Sequence, residues 1–147
     1  MTNPLDLQEV TGVINEWAAA LSDGDIARVK RLWDSSYSDL VYIAEENDEP
    51  ALGWEGIEEY YRELENALGR SSWAVDNLKV DILNDVAWVY LTFVVEAEVK
   101  PFKRTMTFNG RNTFLLRKIH DGWKFIHYHE SLSRDKSRET WGWFFDN

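Results

Sequence analysis

Cysteine is absent from all 147 residues of the sequence. Its absence excludes disulfide bonds, a thiolate nucleophile and any metal site built from thiolates. No apolar run approaches the roughly 18 residues that a membrane span needs. The N-terminus also lacks a basic segment followed by an apolar core, the pattern of a signal peptide. We therefore expect a cytoplasmic protein without a membrane segment.

Several common catalytic motifs are missing as well. The sequence has no Gly-x-Ser-x-Gly elbow, no P-loop, no dinucleotide-binding fingerprint and no His-Glu-x-x-His helix. Their absence excludes α/β-type hydrolases, nucleotide hydrolases, Rossmann dehydrogenases and zincins. We expect no cofactor.

Positive charge is scarce, with 16 Lys and Arg against 26 Asp and Glu and a formal net charge of −10. An acidic chain repels phosphate backbones, so nucleic-acid binding is not expected. The basic group of Lys100, Lys103 and Arg104 is interpreted as a solvated hairpin tip, because tight phosphate binding usually recruits more cations.

The length corresponds to one domain, residues 1–147, that can bury about two-thirds of its unfolded surface. Aromatic residues are plentiful, with eight Trp, six Tyr and seven Phe. Rings in this number can fill a core, line a pocket or form a subunit interface.

The N-terminal part carries helical patterns. Asn3 is a suitable cap and Pro4 a suitable first residue for a first helix, which Gly24 ends. Its apolar face recurs at three- and four-residue spacing. A short second helix starts at Ile26 and ends near residues 34–36, and a third extends from about residue 55 to Gly69.

Alternating apolar residues predict strands at residues 39–44, 75–83, 86–99, 104–119 and 122–133. A turn is expected at residues 84–85. Helices followed by a strand meander predict an α+β fold, with the helices packed on one face of a curved antiparallel sheet.

The last predicted strand holds two of the three histidines. Strict alternation puts Trp123, Phe125, His127, His129 and Ser131 on one face. His127 and His129 are then candidate acid/base groups on a pocket wall. The alternative is a pair of buried histidines hydrogen-bonded to neighbouring elements. A metal site would need a third ligand, and the sequence assigns none, so no metal is predicted.

The order of the elements and four passages of the sequence resemble the NTF2-like superfamily. Within that superfamily the sequence resembles the SnoaL-like (DUF4440/SnoaL-3) group. This group is related to ketosteroid isomerases, scytalone dehydratase and polyketide cyclases. These passages are the first helix ending in Ser22-Asp23-Gly24-Asp25, Leu52-Gly53-Trp54-Glu55-Gly56-Ile57, Asp85-Val86-Ala87-Trp88-Val89, and residues 110–116 with 121–131. The resemblance spans residues 7–133 and leaves an aromatic tail, 134–147.

The resemblance implies a cone-shaped bent sheet over three helices, a deep and mostly apolar pocket, and a homodimer through the outer sheet face. The sequence also favours a sheet that is covered on both faces, because its strands carry apolar residues on both sides. The tail residues Trp141, Trp143, Phe144 and Phe145 are expected to dock on the pocket mouth or the partner subunit, with disorder as the alternative.

The resemblance also implies where a base would stand. The proton-abstracting Asp of ketosteroid isomerases corresponds to about Ala44, which is not a base. Glu46 shares parity with Tyr42 and Ala44 and is the better nearby candidate, since a carboxylate in an apolar cone acquires a raised pKa. The alternative is a solvated acidic loop over residues 45–49.

Ligand-binding candidates come from the aromatic and amide residues. Trp33, Tyr42 and Trp54 are expected at the cone mouth, where rings stack on flat ligands, and Phe125 on its wall. Arg111 and Asn112 alternate, so only one faces inward. An inward Asn112 would bind a carbonyl, and an inward Arg111 would hold a carboxylate through two hydrogen bonds. The alternative for Arg111, which we favour, is an ion pair with Glu96 or Glu98.

Two functions from different classes remain. One is a cofactor-free isomerase, cyclase or dehydratase acting on a small apolar molecule, with His127 or His129 as acid/base and Tyr42 or Asn112 polarising an oxygen. The other is a non-catalytic ligand-binding or dimeric assembly module. The missing base at Ala44 favours the second function, and the paired histidines favour the first.

Overall fold

The computed structural model describes residues 3–100, 103–120 and 122–133. Three helices and six strands follow one another along these residues. They are α1 (Pro4–Ser22), α2 (Ile26–Lys30), β1 (Val41–Ile43), β2 (Ala51–Leu52), α3 (Gly53–Ala67), β3 (Leu68–Leu83), β4 (Val86–Val99), β5 (Arg104–Ile119) and β6 (Gly122–Leu132). The α+β architecture is as predicted. The tail expected to dock lies outside the described residues.

Local capping explains the bounds of α1 and the start of α2. The Asn3 side chain accepts a hydrogen bond from the Leu5 amide, and Pro4 occupies the first turn of α1. Gly24 takes a positive φ of 69° after α1, a conformation that costs glycine little. Asp25 then caps α2 by accepting from the Arg28 amide. Among the described residues, no helix is long and apolar enough to cross a membrane.

The six strands form one curved sheet in the order β2-β1-β6-β5-β4-β3. β3 to β6 make an antiparallel meander, whereas β1 pairs with β6 in parallel. The sheet is therefore mixed, not wholly antiparallel as expected. β2 was not predicted, and β3 begins at Leu68, seven residues before the predicted start.

The inner face of the sheet packs against α1. Trp17 of α1 is 2% exposed and lies 5.1 Å from the ring of Phe114, 5.4 Å from Trp73 and 6.2 Å from Tyr128, measured between ring centroids. The edge-on contacts with Trp73 and Phe114 add about 0.5–1.5 kcal/mol each beyond area burial. Trp17 thus joins one helix to three strands.

A bulge in β6 determines which side chains face the core. Leu115 pairs with His127 but the next residue, Leu116, pairs with Phe125, so Ile126 is an extra residue on β6. A one-residue insertion reverses the alternation beyond it. Phe125 and Tyr128 are both buried, while His127 and His129 turn to the opposite face. The predicted strict alternation across 123–131 is therefore wrong.

The start of β6 is held by the segment that follows α2. Asp34 donates its amide to the Phe125 carbonyl, and the Phe125 amide donates to the Leu32 carbonyl. The Asp34 carboxylate is 3% exposed and lies 2.6 Å from an Arg117 guanidinium nitrogen. Burial works to raise the pKa of Asp34, but hydrogen bonds from Ser36 and Arg117 together hold it below its usual range.

Gly110 on β5 leaves space for a ring of the neighbouring strand. A Cβ at Gly110 would lie 2.4 Å from Phe93 Cζ and 2.9 Å from the Ser131 carbonyl oxygen. Both distances are shorter than a van der Waals contact, and Phe93 is buried. A strand glycine here is required by close packing.

We expect Gly110→Ala to lower the free energy of unfolding by about 1–3 kcal/mol, because the added methyl group forces Phe93 or β6 to move. Urea unfolding followed by tryptophan fluorescence measures the change. The matched control is Gly12→Ala in α1, where a Cβ meets nothing within 4 Å. That change should stabilise by up to about 1 kcal/mol. Equal destabilisation by both substitutions would contradict the packing argument.

Candidate functional site

A cavity of about 230 Å³ opens between the inner face of the sheet and the helices α1 and α3. Its walls are mainly aromatic and aliphatic. The lining residues are Trp17, Leu21, Tyr42, Glu45, Glu46, Tyr60, Tyr61, Leu64, Ala67, Leu68, Trp73, Phe93, Val95, Ala97, Phe108 and Glu130. An apolar pocket with a few converging polar groups is the usual form of a small-molecule site.

The polar part of the cavity is a cluster of three carboxylates. Glu45 and Glu46 follow β1, and Glu130 lies on β6, the strand beside β1. One carboxylate oxygen from each of the three lies within 4.8 Å of the others. The parallel β1–β6 pair produces this proximity, because Ile43 is aligned with His129 and both strands run towards the cluster.

Tyrosines hold two of the carboxylates. The Tyr128 hydroxyl donates to Glu130 Oε2 at 2.6 Å, and the Tyr60 hydroxyl donates to Glu46 Oε1 at 2.7 Å. The Tyr42 ring lies between these tyrosines, 4.3 Å from each ring centroid, and stacks on Tyr128. Short hydrogen bonds and stacking together restrict the carboxylate positions.

Burial is the main cause of a shift at Glu130 and raises its pKa to about 7. The hydrogen bond from Tyr128 opposes this shift, and the negative charges of Glu46 and Glu45 reinforce it. Burial likewise raises the pKa values of Tyr42, Tyr60 and Tyr128, so their hydroxyls stay protonated. A carboxyl with a pKa near 7 can both accept and donate a proton at neutral pH.

A metal assignment does not follow from the cluster. Ca²⁺ takes about six to eight oxygen ligands. The cluster offers three carboxylates, and two of them already accept tyrosine hydroxyls.

His127 and His129 lie on the face of the sheet away from the cavity. His127 aligns with Leu115 and Val41, and its ring centroid is 6.4 Å from that of the exposed His129. Partial burial, and then the neighbouring His129, lower the pKa of His127. Neither imidazole is among the residues that line the cavity.

The other candidate residues lie in three places. Tyr42 and Glu46 line the cavity. Trp33 and Trp54 line a different cleft near Asp34, and Phe125 is fully buried in the core.

Of the alternating pair on β5, Asn112 faces inward. It is 2% exposed, it aligns with Glu130, and neither its amide nitrogen nor its oxygen has a hydrogen-bond partner among the described residues. Arg111 is on the other face and donates to Ser131 Oγ at 3.0 Å. The expected ion pair of Arg111 with Glu96 or Glu98 is not found in the described part of the chain.

Sequence reasoning missed Glu130, Tyr60 and Trp73 as cavity residues. Glu130 was assigned to the outer face because the alternation was carried through Ile126 without a bulge. The pairing of β6 with β5 would have corrected this assignment. Asn112, Phe114 and Leu116 of β5 are buried, so their partners on β6 must also face inward.

Comparison with solved structures supports the fold. A provisionally assigned dehydratase of the NTF2-like family from Streptomyces avermitilis superposes with a TM-score of 0.80 at 16% identity, covering 89% of this chain and 99% of that chain. A ketosteroid isomerase-like protein from Erwinia carotovora gives a TM-score of 0.74 at 20% identity, with coverage of 88% and 98%.

A third structure is a provisionally assigned calcium/calmodulin dependent protein kinase II association domain from Xanthomonas campestris. Its TM-score is 0.70 at 24% identity, with coverage of 92% of this chain and 94% of that chain. No curated protein matches the sequence. The profile of the SnoaL-like domain matches residues 10–135. The chain therefore belongs to the SnoaL-like domain family.

Proposed function

We propose that the cavity binds a small, mainly apolar molecule and that Glu130 exchanges a proton with it, as a cofactor-free isomerase, cyclase or dehydratase. The observation that carries the proposal is the Glu130 carboxyl at the cavity wall, with a pKa raised to about 7. In an isomerisation, the carboxylate would take a proton from a carbon beside a carbonyl and return it to another carbon. This proton transfer needs no oxidant or reductant.

The surroundings of Glu130 support this role. Aromatic walls favour flat molecules, and the hydrogen bond from Tyr128 fixes the carboxyl orientation. Tyr42 lies in the lining and is our candidate to polarise an oxygen of the substrate. Two similar structures carry names of this reaction type, a dehydratase and a ketosteroid isomerase-like protein. In this proposal Glu130 takes the acid/base role that the sequence suggested for His127, His129 or Glu46.

The second candidate function is ligand binding without catalysis. Ala44, where the resemblance implies an isomerase base, is 2% exposed and offers no proton-transfer group. The cavity would then bind a molecule and release it without a chemical change.

We also propose a homodimer through the outer face, defined as the sheet face away from the cavity. Across the strands, Trp88 aligns with Leu115 and Leu115 with His127, and Val94 on the same face is 46% exposed. An apolar row of this kind favours an interface. A second copy is the simplest occupant, because one patch can then cover itself symmetrically. One similar structure is named as an association domain.

Catalysis by Glu130 predicts exchange of carbon-bound protons. Small aromatic ketones incubated with the protein in deuterated water should lose their signals next to the carbonyl, measured by NMR. Glu130→Gln should slow this exchange by about 10²–10⁴-fold, because the amide cannot accept the proton. Glu9→Gln on the exposed face of α1 is the control and should leave the rate unchanged. Ketones that bind without any exchange would favour the non-catalytic function.

Ionising the partly buried Glu130 should destabilise the fold. Its folded pKa of about 7 exceeds the ordinary value of 4.5, so the folded state binds the proton more tightly and stability falls as pH rises from about 4.5 to 7. Glu130→Gln should therefore raise the free energy of unfolding at pH 8 by about 1–3 kcal/mol over the parent. The gain should vanish near pH 4.5. Urea unfolding at both pH values tests this, and a gain independent of pH would contradict it.

The homodimer predicts that a charge on the outer face separates the subunits. Trp88→Asp should convert a dimer into a monomer, because the interface would lose the indole contacts and burying the carboxylate would remove its hydration. Sedimentation velocity measures the mass. Leu5→Asp is the control, since Leu5 is 67% exposed on α1, the helix packed against the inner face of the sheet. A parent protein that sediments as a monomer at micromolar concentration would refute the dimer.

A further inference from the structure

We infer that Asn112 is a positioning residue for Glu130: its carboxamide donates a second hydrogen bond, beside that of the Tyr128 hydroxyl, to the Glu130 carboxylate when this group is ionised. The importance of this pairing for proton transfer rests on the proposed function, because only a reactive Glu130 gives it a catalytic effect. The pairing itself requires no ligand.

The Asn112 side chain is buried without a partner. It is 2% exposed, and neither its amide nitrogen nor its oxygen has a hydrogen-bond partner among the described residues. An amide in this state is unfavourable unless a polar group comes within reach. Asn112 does not belong to the lining of the cavity, so a molecule bound there is not the expected partner. The partner should come from the protein itself.

The register of the sheet identifies that partner. On the inner face, Asn112 has two neighbours on its own strand and one aligned residue on each adjoining strand, and these are Gly110, Phe114, Leu91 and Glu130. Of the four, only Glu130 has polar atoms in its side chain. Directly opposed residues have Cβ atoms about 4.5–5.5 Å apart. Rotation about the side-chain bonds therefore brings the amide and the carboxyl group to hydrogen-bond distance.

Glu130 can accept a second donor. The Tyr128 hydroxyl donates to one of its oxygens, Oε2, at 2.6 Å. An ionised carboxyl group has about four lone-pair sites, so it can accept further hydrogen bonds. The NH₂ group of an amide donates to a carboxylate, and its oxygen accepts from a protonated carboxyl, but the bond to the charged form is the stronger of the two. Asn112 therefore favours the ionised form and opposes the burial that raises the pKa of Glu130.

Other titratable groups also act on Glu130. Those that face it are Tyr128 on its own strand, Tyr42 on β1, Glu45 and Glu46 after β1, and Tyr60 and Tyr61 on α3. The two glutamates raise the pKa of Glu130, and the tyrosines have raised pKa values and stay protonated at neutral pH. The facing residue on β5 is Asn112, which carries no charge. Removing its amide should therefore raise the pKa of Glu130 above that in the parent protein.

The test compares the pKa of Glu130 in the full chain and in Asn112→Leu, a variant with a side chain of similar size and no hydrogen-bonding group. Carbon-13 NMR of the side-chain carboxyl groups follows the titration, and the Glu130 signal is identified by its loss in Glu130→Gln. We expect the pKa to rise by about one pH unit in Asn112→Leu, as for the loss of a hydrogen bond to a charged group. An unchanged pKa would overturn the inference.

Thr113→Val is the matched control. Thr113 is the next residue of β5, aligns with His129 on the outer face, and loses a polar group in the same way. Its substitution should leave the pKa of Glu130 unchanged, and an equal rise in both variants would contradict a specific pairing. Asn112→Ala adds no bulk and carries the same expectation as Asn112→Leu, should the leucine variant fail to fold. Circular dichroism checks the fold of each variant.

The pH dependence of stability separates positioning from packing. The pKa of Glu130 is higher in the folded state than its ordinary value of 4.5, so stability falls as pH rises from about 4.5 through the folded pKa. Asn112→Leu raises the folded pKa, so this fall should be larger than in the parent. Urea unfolding should therefore show a greater loss of stability at pH 9 than at pH 4.5. A loss of equal size at both pH values would indicate a packing role alone and refute the inference.

The proton-exchange assay with aromatic ketones distinguishes the pairing from the proposed function. If Glu130 is the base, the pH at which exchange reaches half its maximal rate should move up in Asn112→Leu by the same amount as the pKa. A raised pKa together with no exchange in the parent would support the pairing and count against catalysis. Exchange in the parent together with an unchanged pKa in Asn112→Leu would overturn the pairing and leave the proposed function standing.

Discussion

The single extra residue in β6, Ile126, is the constraint on which the cavity depends. Leu115 and Leu116 are neighbours on β5, yet their partners His127 and Phe125 are two residues apart. The β5 side chains alternate without interruption, so β6 must change phase to keep paired side chains on the same face. Trp123 and Phe125 fill the core before the bulge, and Tyr128 and Glu130 reach the interior after it.

Bringing Glu130 inside creates a conflict between desolvation and hydrogen bonding. Burial favours the neutral carboxyl, whereas Tyr128 stabilises the carboxylate. Desolvation is the larger effect, and the nearby Glu45 and Glu46 add to it, so the net pKa lies near 7. The cavity therefore holds a group that can gain or lose a proton under ordinary conditions. The proton transfer that we propose for the cavity depends on this balance.

Regular segments were predicted well because their signals are local. β4 and β5 have the predicted bounds, and Asn3, Pro4 and Gly24 mark α1 as expected. The sequence did not indicate β2 or the parallel β1–β6 pair, since both depend on residues far apart in the chain. For the site, Tyr42 and Glu46 were identified near the cavity, but Glu130 was missed and the histidines were placed inside it.

The sequence by itself determined the α+β class and the acidic, aromatic composition, because capping, alternation and charge are properties of neighbouring residues. Its resemblance to the family rested on short passages such as Leu52-Gly53-Trp54-Glu55-Gly56-Ile57, which are likewise local. Tertiary structure alone decided which face of β6 meets the cavity. A one-residue bulge reverses every later side chain, and the alternation of an isolated strand carries no record of it. Only the pairing with β5 turns His127 and His129 outward and brings Glu130 to Glu45 and Glu46.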